Sequence, residues 1–371
     1  MLLVLQGTPY CNLDCSYCYL PDRDNKARLD LATIDQIVAL LRNSSKLPRE
    51  RVTVIWHAGE PLVLPVKFYR AACEAFGTLH AVGIHIAHSF QTNGTLITPD
   101  WAEFFRDINA IVGISIDGPQ EFHDLHRRYR NGSGSWQKGM RGIRLLQRAQ
   151  IPFHTITVLT RPALSAPEAF FDFFVANGIS HIGFNIEEIE SANRHSSIAT
   201  PAGEELFGSF LRCILRRNAA EGFPLRIREA ENASAVLLNG GLDVNPLARK
   251  GDILTIDTKG NVTTFSPELL GMQSARHHNF IIGNIWETTL DEMVSGEVAG
   301  LLADEISRGV ERCRTSCDFF RFCRGGAPVN KLSETGSFDT TETMYCRLTV
   351  QTLLRECTEV IWEQRSSDIS R

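Results

Sequence analysis

Along roughly the first 225 residues, short β-branched or apolar runs alternate with longer stretches whose apolar positions recur at helical spacing. The short runs predict strands at Leu2–Leu5, Val52–Trp56, Gly83–His88, Ala110–Ile116, Phe153–Leu159 and His181–Ile186. The stretches between them predict helices over Leu31–Arg42, Pro65–Phe76, Pro99–Ile108, Trp136–Gln147 and Ala166–Asn177. Strands that alternate with helices in this way pair in parallel through right-handed crossovers, as an open doubly wound sheet or an incomplete barrel.

Polar, glycine-containing segments follow the strands directly: Trp56-His57-Ala58-Gly59-Glu60-Pro61, Gln91-Thr92-Asn93-Gly94 and Asp117-Gly118-Pro119. They fall on the carboxyl rim of a parallel sheet, where such folds bind ligands. The alternation weakens after Glu187 and gives way to a helix over Pro201–Ala220. A second region opens near Arg226, which divides the chain into residues 1–225 and 226–371. In the second region Gly251–Thr264 reads as a hairpin turning at Lys259-Gly260-Asn261, and a last helix spans Leu348–Glu363.

Composition narrows the class. With 371 residues, 43% hydrophobic and 22% charged, the chain has the make-up of a globular protein. No apolar run approaches the roughly 20 residues of a membrane span. The start, MLLVLQGTPYCNLDC, lacks the basic leading region of a secretory signal, so a cytoplasmic location without a membrane partner is expected. Thirty-eight basic against 43 acidic residues leave a net charge of −5, which argues against nonspecific nucleic-acid binding. A basic stretch with Arg127, Arg128, Arg130, Lys138, Arg141, Arg144 and Arg148 keeps RNA open as a rival substrate; a solvated amphipathic helix face is the simpler reading.

Ten cysteines are many for an intracellular enzyme, and their positions matter more than their number. Cys11, Cys15 and Cys18 sit in the loop after the first strand; Cys313, Cys317, Cys323 and Cys346 form a second group; Cys73, Cys213 and Cys357 stand alone and read as buried thiols. Three clustered thiolates can hold three irons of a cubane and leave the fourth open, whereas zinc would recruit a further ligand and close its shell. Four thiolates can close either kind of centre.

The Cys11-x3-Cys15-x2-Cys18 segment resembles the signature of the radical S-adenosylmethionine (SAM) enzymes. The resemblance implies a partial (β/α)6 barrel, a [4Fe-4S] cluster on these three cysteines, and SAM bound at the open iron. Tyr17, the aromatic residue before the last cysteine, matches the family. His57-Ala58-Gly59-Glu60-Pro61 is similar to the segment that receives the methionine amino group, with Ala58 in place of the commoner glycine. The resemblance further implies that Gln91, Asn93, Ser115 and Arg127 help to bind SAM.

The second group resembles a SPASM domain, the carboxy-terminal iron–sulfur module of radical enzymes that modify peptides. The usual seven cysteines hold two auxiliary clusters. Here Ala327 stands where another cysteine is usual, and the hairpin runs into Phe265-Ser266-Pro267-Glu268 without one. One auxiliary [4Fe-4S] cluster on Cys313, Cys317, Cys323 and Cys346 is therefore expected, for two clusters in total.

LVLQGTPYCNLDCSYCYLPDR from Leu3 and CRGGAPVNKLSETGSFDTTETMYC from Cys323 are most similar to the glycine-rich-repeat peptide maturases, a cyclophane-forming branch. This implies a ribosomally made, glycine-rich precursor peptide as substrate, an aromatic ring joined to a nearby β-carbon as product, and an external low-potential electron donor. Glu268, near the place where related enzymes carry an acid, is a candidate proton acceptor; Ser266-Pro267-Glu268 also reads as a helix cap. Glu187, a second candidate, and Glu188 follow the sixth strand and face either the chamber or solvent. The rival peptide reaction is oxidation of Ser or Cys to formylglycine, as in anaerobic sulfatase maturases.

Overall fold

The computed structural model describes residues 1–47 and 49–369. Its strands are β1 Leu2–Leu5, β2 Arg51–Trp56, β3 His85–Thr92, β4 Ile111–Ser115, β5 Phe153–Leu159, β6 His181–Ile186, β7 Arg226–Ile227, β8 Ile253–Ile256, β9 Asn261–Thr264 and β10 Gly283–Asn284. They form one sheet in the order β10-β9-β8-β1-β2-β3-β4-β5-β6-β7. From β8 through β1 to β7 every pairing is parallel, and β8, β9 and β10 are antiparallel neighbours. The expected α/β alternation and the hairpin are both present.

Two features of the sheet differ from the sequence expectation. β3 begins after Gly83 and runs on through Thr92, because polar Gln91 and Thr92 pair with Gly113 and Ile114. Their polarity reads as loop, yet they are ladder residues whose side chains serve the rim. The hairpin of the second region also joins the first region's sheet, with Leu2–Leu5 in register with Ile253–Ile256.

The chain therefore passes from β7 at one edge to β8 beside β1, through a helix at Arg228–Leu238 and a turn at Pro246–Ala248. Residues of β3, β4, β5, β6 and β8 line one cavity, which requires the sheet to curl into a partial barrel.

Apolar side chains on the outer face of the sheet meet the crossover helices. Trp56, Tyr69, Phe90, Phe104 and Phe105 are buried together, with the Trp56 and Tyr69 rings 4.8 Å apart edge to face. Phe170, Phe174, Phe184 and Phe210 form a second aromatic group. Each fully buried ring contributes about 1.5–3 kcal/mol through area removed from water, so the rim loops rest on a stiff base. Arg212 donates two bonds, at 2.8 and 2.7 Å, to buried Glu356, which ties Pro201–Ala220 to the last helix. That helix starts earlier than expected, as a turn at Met344–Cys346 and a π-helical segment Arg347–Thr352 before Leu353–Ile369. Among the described residues no helix is long and apolar enough to cross a membrane.

Candidate active site

The first cysteine loop is held by its backbone carbonyls. Arg23 donates to the Cys15 carbonyl at 3.0 Å, and Arg130 donates to the Cys11 carbonyl at 3.1 Å and to the Arg23 carbonyl at 2.6 Å. Two members of the basic stretch thus turn inward: Arg130 braces this loop and Arg127 is buried beneath it. The helix Trp136–Arg148 that follows is amphipathic, with Met140, Ile143 and Leu146 buried.

Burial pushes the Cys11 thiol well up and the Cys15 thiol to about 11. Protonated thiols are poor nucleophiles, whereas coordination to iron would ionise them. The donor set therefore suits metal ligation and not thiolate catalysis.

The segment after β2 folds under this loop. A Cβ on Gly59 (φ 130°) would lie 2.0 Å from the Thr8 carbonyl oxygen, so glycine is required where the two loops cross. Ala58 takes φ 64°, a left-handed conformation that suits glycine better. Glu60 is 2% exposed. Its Oε1 accepts from Leu62 N at 2.9 Å and Thr92 Oγ1 at 2.7 Å, and its Oε2 accepts from Asn93 N at 2.9 Å. Burial still dominates and raises its pKa to about 7. Asn93 makes the turn through Thr95 N at 3.0 Å and also points its amide at Asn12 at 2.8 Å and Cys11 Sγ at 3.9 Å.

Further along the rim, Gln91 Nε2 donates to Ser115 Oγ at 3.0 Å. Gly113 makes room for it, since a Cβ there would lie 2.2 Å from Gln91 Oε1. Asp117 then acts as a hub. Its Oδ2 accepts from Tyr17 Oη and from Arg127 Nε at 3.0 Å, and its Oδ1 accepts from Val158 N at 3.0 Å. The Arg127 guanidinium lies over the Tyr17 ring, 5.4 Å from its centroid. One buried ion pair thereby fixes the cysteine loop to the ends of β4 and β5.

Above the rim lies a chamber of about 430 Å³. Its lining includes Cys15, Tyr17, Cys18, Gln91, Ser115 and Arg127 from the cysteine loop and the rim, together with Glu187, Glu188, Glu190, Glu268, Ala327 and Asn330. Ala58, Gly59, Glu60, Asn93 and Cys11 do not line the chamber.

Burial raises the pKa values of Glu188, Glu190 and Glu268, and the Glu268 charge raises those of Glu188 and Glu190 further. Asn330 Nδ2 donates to Glu188 at 2.8 Å, Ser266 Oγ donates to Glu268, and Ser197 N donates to Glu187 at 2.6 Å. Burial thus shifts each toward its protonated form, and interacting carboxyls titrate as a group that can take up and release protons. Tyr19 Oη is 3.1 Å from His57 Nε2, and burial lowers the His57 pKa to about 4, leaving a neutral imidazole on the chamber wall.

The second cysteine group surrounds its own cavity of about 410 Å³. Cys313 ends a long helix, Cys317 caps it, Cys323 closes a short turn and Cys346 follows the Thr343 cap. Gly325 and Gly326 turn their backbone N–H groups toward Cys323, and Gln351 Nε2 lies 3.6 Å from Cys346 Sγ. Ala327 borders both this cavity and the chamber. Among the described residues, no three His, Cys, Asp or Glu side chains are gathered as a single-ion site.

The sequence-selected residues thus converge from loops distant in the chain. Glu187 and Glu188 face the chamber and not solvent, and Glu268 belongs to a short turn, Pro267–Leu269, with its carboxyl in the chamber wall. Trp56 lies in the core, whereas His57 reaches the chamber. Cys213 and Cys73 are half-buried, not buried as expected. Sequence reasoning passed over Glu190, Tyr19, Asn330 and the hub role of Asp117. The run Glu187-Glu188-Ile189-Glu190 on a strand rim was a usable signal for the first of these.

A curved parallel sheet with a three-cysteine loop over a rim chamber defines an iron–sulfur radical enzyme. The sequence pattern of the radical SAM superfamily matches residues 5–191, and the chain belongs to that superfamily. It is an enzyme of the oxidoreductase type, with SAM and a [4Fe-4S] cluster as the superfamily's cofactors.

The chain is 37% identical to an uncharacterised protein of Synechocystis sp., over 94% of this chain and 89% of that one. It is 29% identical to a serine-type anaerobic sulfatase-maturating enzyme of Bacteroides thetaiotaomicron, over 88% and 81% of the respective chains. Among solved structures, native anSMEcpe with bound AdoMet superimposes with a TM-score of 0.80 at 21% identity, covering 98% of this chain and 97% of that one. Streptococcus suis SuiB bound to the precursor peptide SuiA does so with a TM-score of 0.67 at 15% identity, covering 93% and 75%.

Proposed function

We propose that this enzyme is a peptide maturase of the glycine-rich-repeat type, which joins an aromatic ring to a nearby β-carbon of a ribosomally made precursor. The observation that carries the reading is the chamber itself, whose lining joins the cysteine loop and the strand rim to buried carboxylates.

In this reading Cys11, Cys15 and Cys18 hold the [4Fe-4S] cluster, and SAM lies against Tyr17, Gln91, Ser115 and Arg127. Ala58, Gly59, Glu60 and Asn93 support the methionine end from behind. When bound and reduced by an external low-potential donor, the cofactor pair supplies a 5′-deoxyadenosyl radical that removes one hydrogen atom. The protein's task is aim: the substrate residue must sit in the chamber, held so that one Cβ–H bond faces the rim. The carbon radical left on the peptide adds to the neighbouring ring and forms the carbon–carbon bond. Aromaticity returns on loss of one proton and one electron. Glu268 accepts the proton, and Glu188 and Glu190 share it onward. Cys313, Cys317, Cys323 and Cys346 would hold a second [4Fe-4S] cluster, which would supply an acceptor for the electron, with Ala327 bordering both its cavity and the chamber. Glu187, already engaged by Ser197, orients the chamber lining.

Formylglycine formation is the second reading. It is supported by the 29% identity to a sulfatase-maturating enzyme and begins with the same Cβ–H abstraction. Against it stand Ala327 and a hairpin end without cysteine, where a seven-cysteine domain would hold another cluster.

Anaerobic reaction with a glycine-rich peptide encoded beside the gene separates the two. A cyclophane gives loss of two hydrogens per ring, no reaction with a hydrazine, and fragments missing between the joined residues. A hydrazine-reactive product with full fragmentation would replace the first reading with the second.

A further inference from the structure

Lys331 is a buried cation that the chemistry above does not use. It is 4% exposed on the helix Pro328–Thr335. Its Nζ donates to the Gly309 carbonyl at 3.0 Å and to Cys313 Sγ at 3.2 Å. No ion pair to Lys331 occurs among the described residues. Glu334 accepts from Met344 N and Tyr345 N, Glu342 pairs with Arg347, and Asp339 pairs with Arg308 and Arg312, while Asp318, the other acid lining the cavity, forms no ion pair with Lys331. An ammonium taken out of water costs several kcal/mol unless a negative group compensates it. The Gly309 carbonyl is not such a group.

The cavity beside it supplies the missing charge. Lys331 is the one cation among the described residues that line the cavity of Cys313, Cys317, Cys323 and Cys346; Asp318 and Glu342 are its acidic members. A cubane held by four thiolates is anionic in both redox states, by one unit more when reduced. A fixed ammonium at one thiolate therefore stabilises the reduced state more than the oxidised one. The Gly309 carbonyl anchors that ammonium, while the other donors to these sulfurs, the Gly325 and Gly326 N–H groups and the Gln351 amide, are neutral.

We propose that Lys331 is a positioning residue that raises the reduction potential of the distal cluster, and so makes that cluster the acceptor of the electron released when the ring regains aromaticity. The proposal rests on the two-cluster reading above. The electron enters the cluster as one-electron reduction and leaves to an external protein electron carrier, while the proton goes to the chamber carboxylates.

The test is a potentiometric titration followed by electron paramagnetic resonance, in a Cys11→Ala/Cys15→Ala/Cys18→Ala background that isolates the distal cluster. Lys331→Gln, which keeps a donor but removes the charge, is expected to lower the reduced-to-oxidised ratio at fixed poise about tenfold, a downward shift of about 59 mV for a one-electron couple. Lys331→Arg is expected to keep the parent potential. An unchanged potential in Lys331→Gln, or an equal fall in Lys331→Arg, overturns the proposal. If Lys331→Gln does not load iron, Gln351→Lys, which adds a cation beside Cys346, is expected to raise the potential; no rise overturns it. A background protein that binds no iron while the parent binds one cluster refutes the two-cluster reading itself.

Discussion

The two cysteine groups solve opposite problems with the same side chain. The first is a three-thiol loop whose carbonyls are braced by Arg23 and Arg130 and which contributes Cys15 and Cys18 to the chamber. The second gathers four thiols around a separate cavity with a buried ammonium at one of them. Between them stands a wall that includes Ala327. In the proposed reading, ligand number separates a centre that does chemistry from one that handles electrons, and the charge around the second sets its potential.

The contrast is broken most severely by deleting one ligand at a time. Cys15→Ala is expected to abolish SAM cleavage and to lower bound iron from about eight to about four atoms per chain. Cys346→Ala is expected to lose the same amount of iron while SAM cleavage persists and peptide product is lost. Iron content with quantified 5′-deoxyadenosine checks both, and equal effects from the two variants would remove the division of labour.

The chamber's acidic wall is sharpened by Glu268→Gln. Product formation should fall about 10²–10⁴-fold, the range of a lost general base, while SAM cleavage continues uncoupled. Comparing product with 5′-deoxyadenosine yield measures this directly.

Asp117→Asn strands buried Arg127 without its counter-charge, with the pair's side chains 4% and 10% exposed. A loss of about 3–5 kcal/mol is expected, read as a fall in the denaturant midpoint; a change below about 1 kcal/mol would show that the hub is not structural.

The smallest effect concerns Glu60, whose folded pKa is raised from 4.5 to about 7 by burial. A raised carboxylate favours the folded state below its unfolded pKa, and that contribution is lost as pH rises through the folded one. The cofactor-free protein should therefore lose stability between pH 4.5 and about 7, on the order of 2–3 kcal/mol from this group. Glu60→Gln should flatten the slope, since Glu188 and Glu190 remain to titrate in the same sense. Thermal melts across that window check it.

The six parallel strands, both cysteine groups and the rim motifs were legible because each has a local cause: β-branched runs, close sulfur spacing, and polar residues at strand ends. What was hidden depends on pairing between distant segments. Gln91 and Thr92 look like loop until β4 supplies their ladder partners. Glu60 looks like a free acceptor until Leu62, Thr92 and Asn93 fill its oxygens. Glu188 could face chamber or solvent until Asn330 donates to it and, with Tyr345, joins it in the chamber lining. Lys331 carries no signal of its own in the sequence; its role depends on Gly309 and Cys313, contributed by another helix.

The central claim, that a peptide Cβ–H bond is opened in the chamber between the cysteine loop and the carboxylates, is tested most directly by isotope transfer. With a precursor deuterated at the candidate β-carbons and the fully loaded enzyme under anaerobic conditions, mass spectrometry of the released 5′-deoxyadenosine should find one deuterium for each crosslink formed. Crosslinked peptide accompanied by unlabelled 5′-deoxyadenosine would contradict the account.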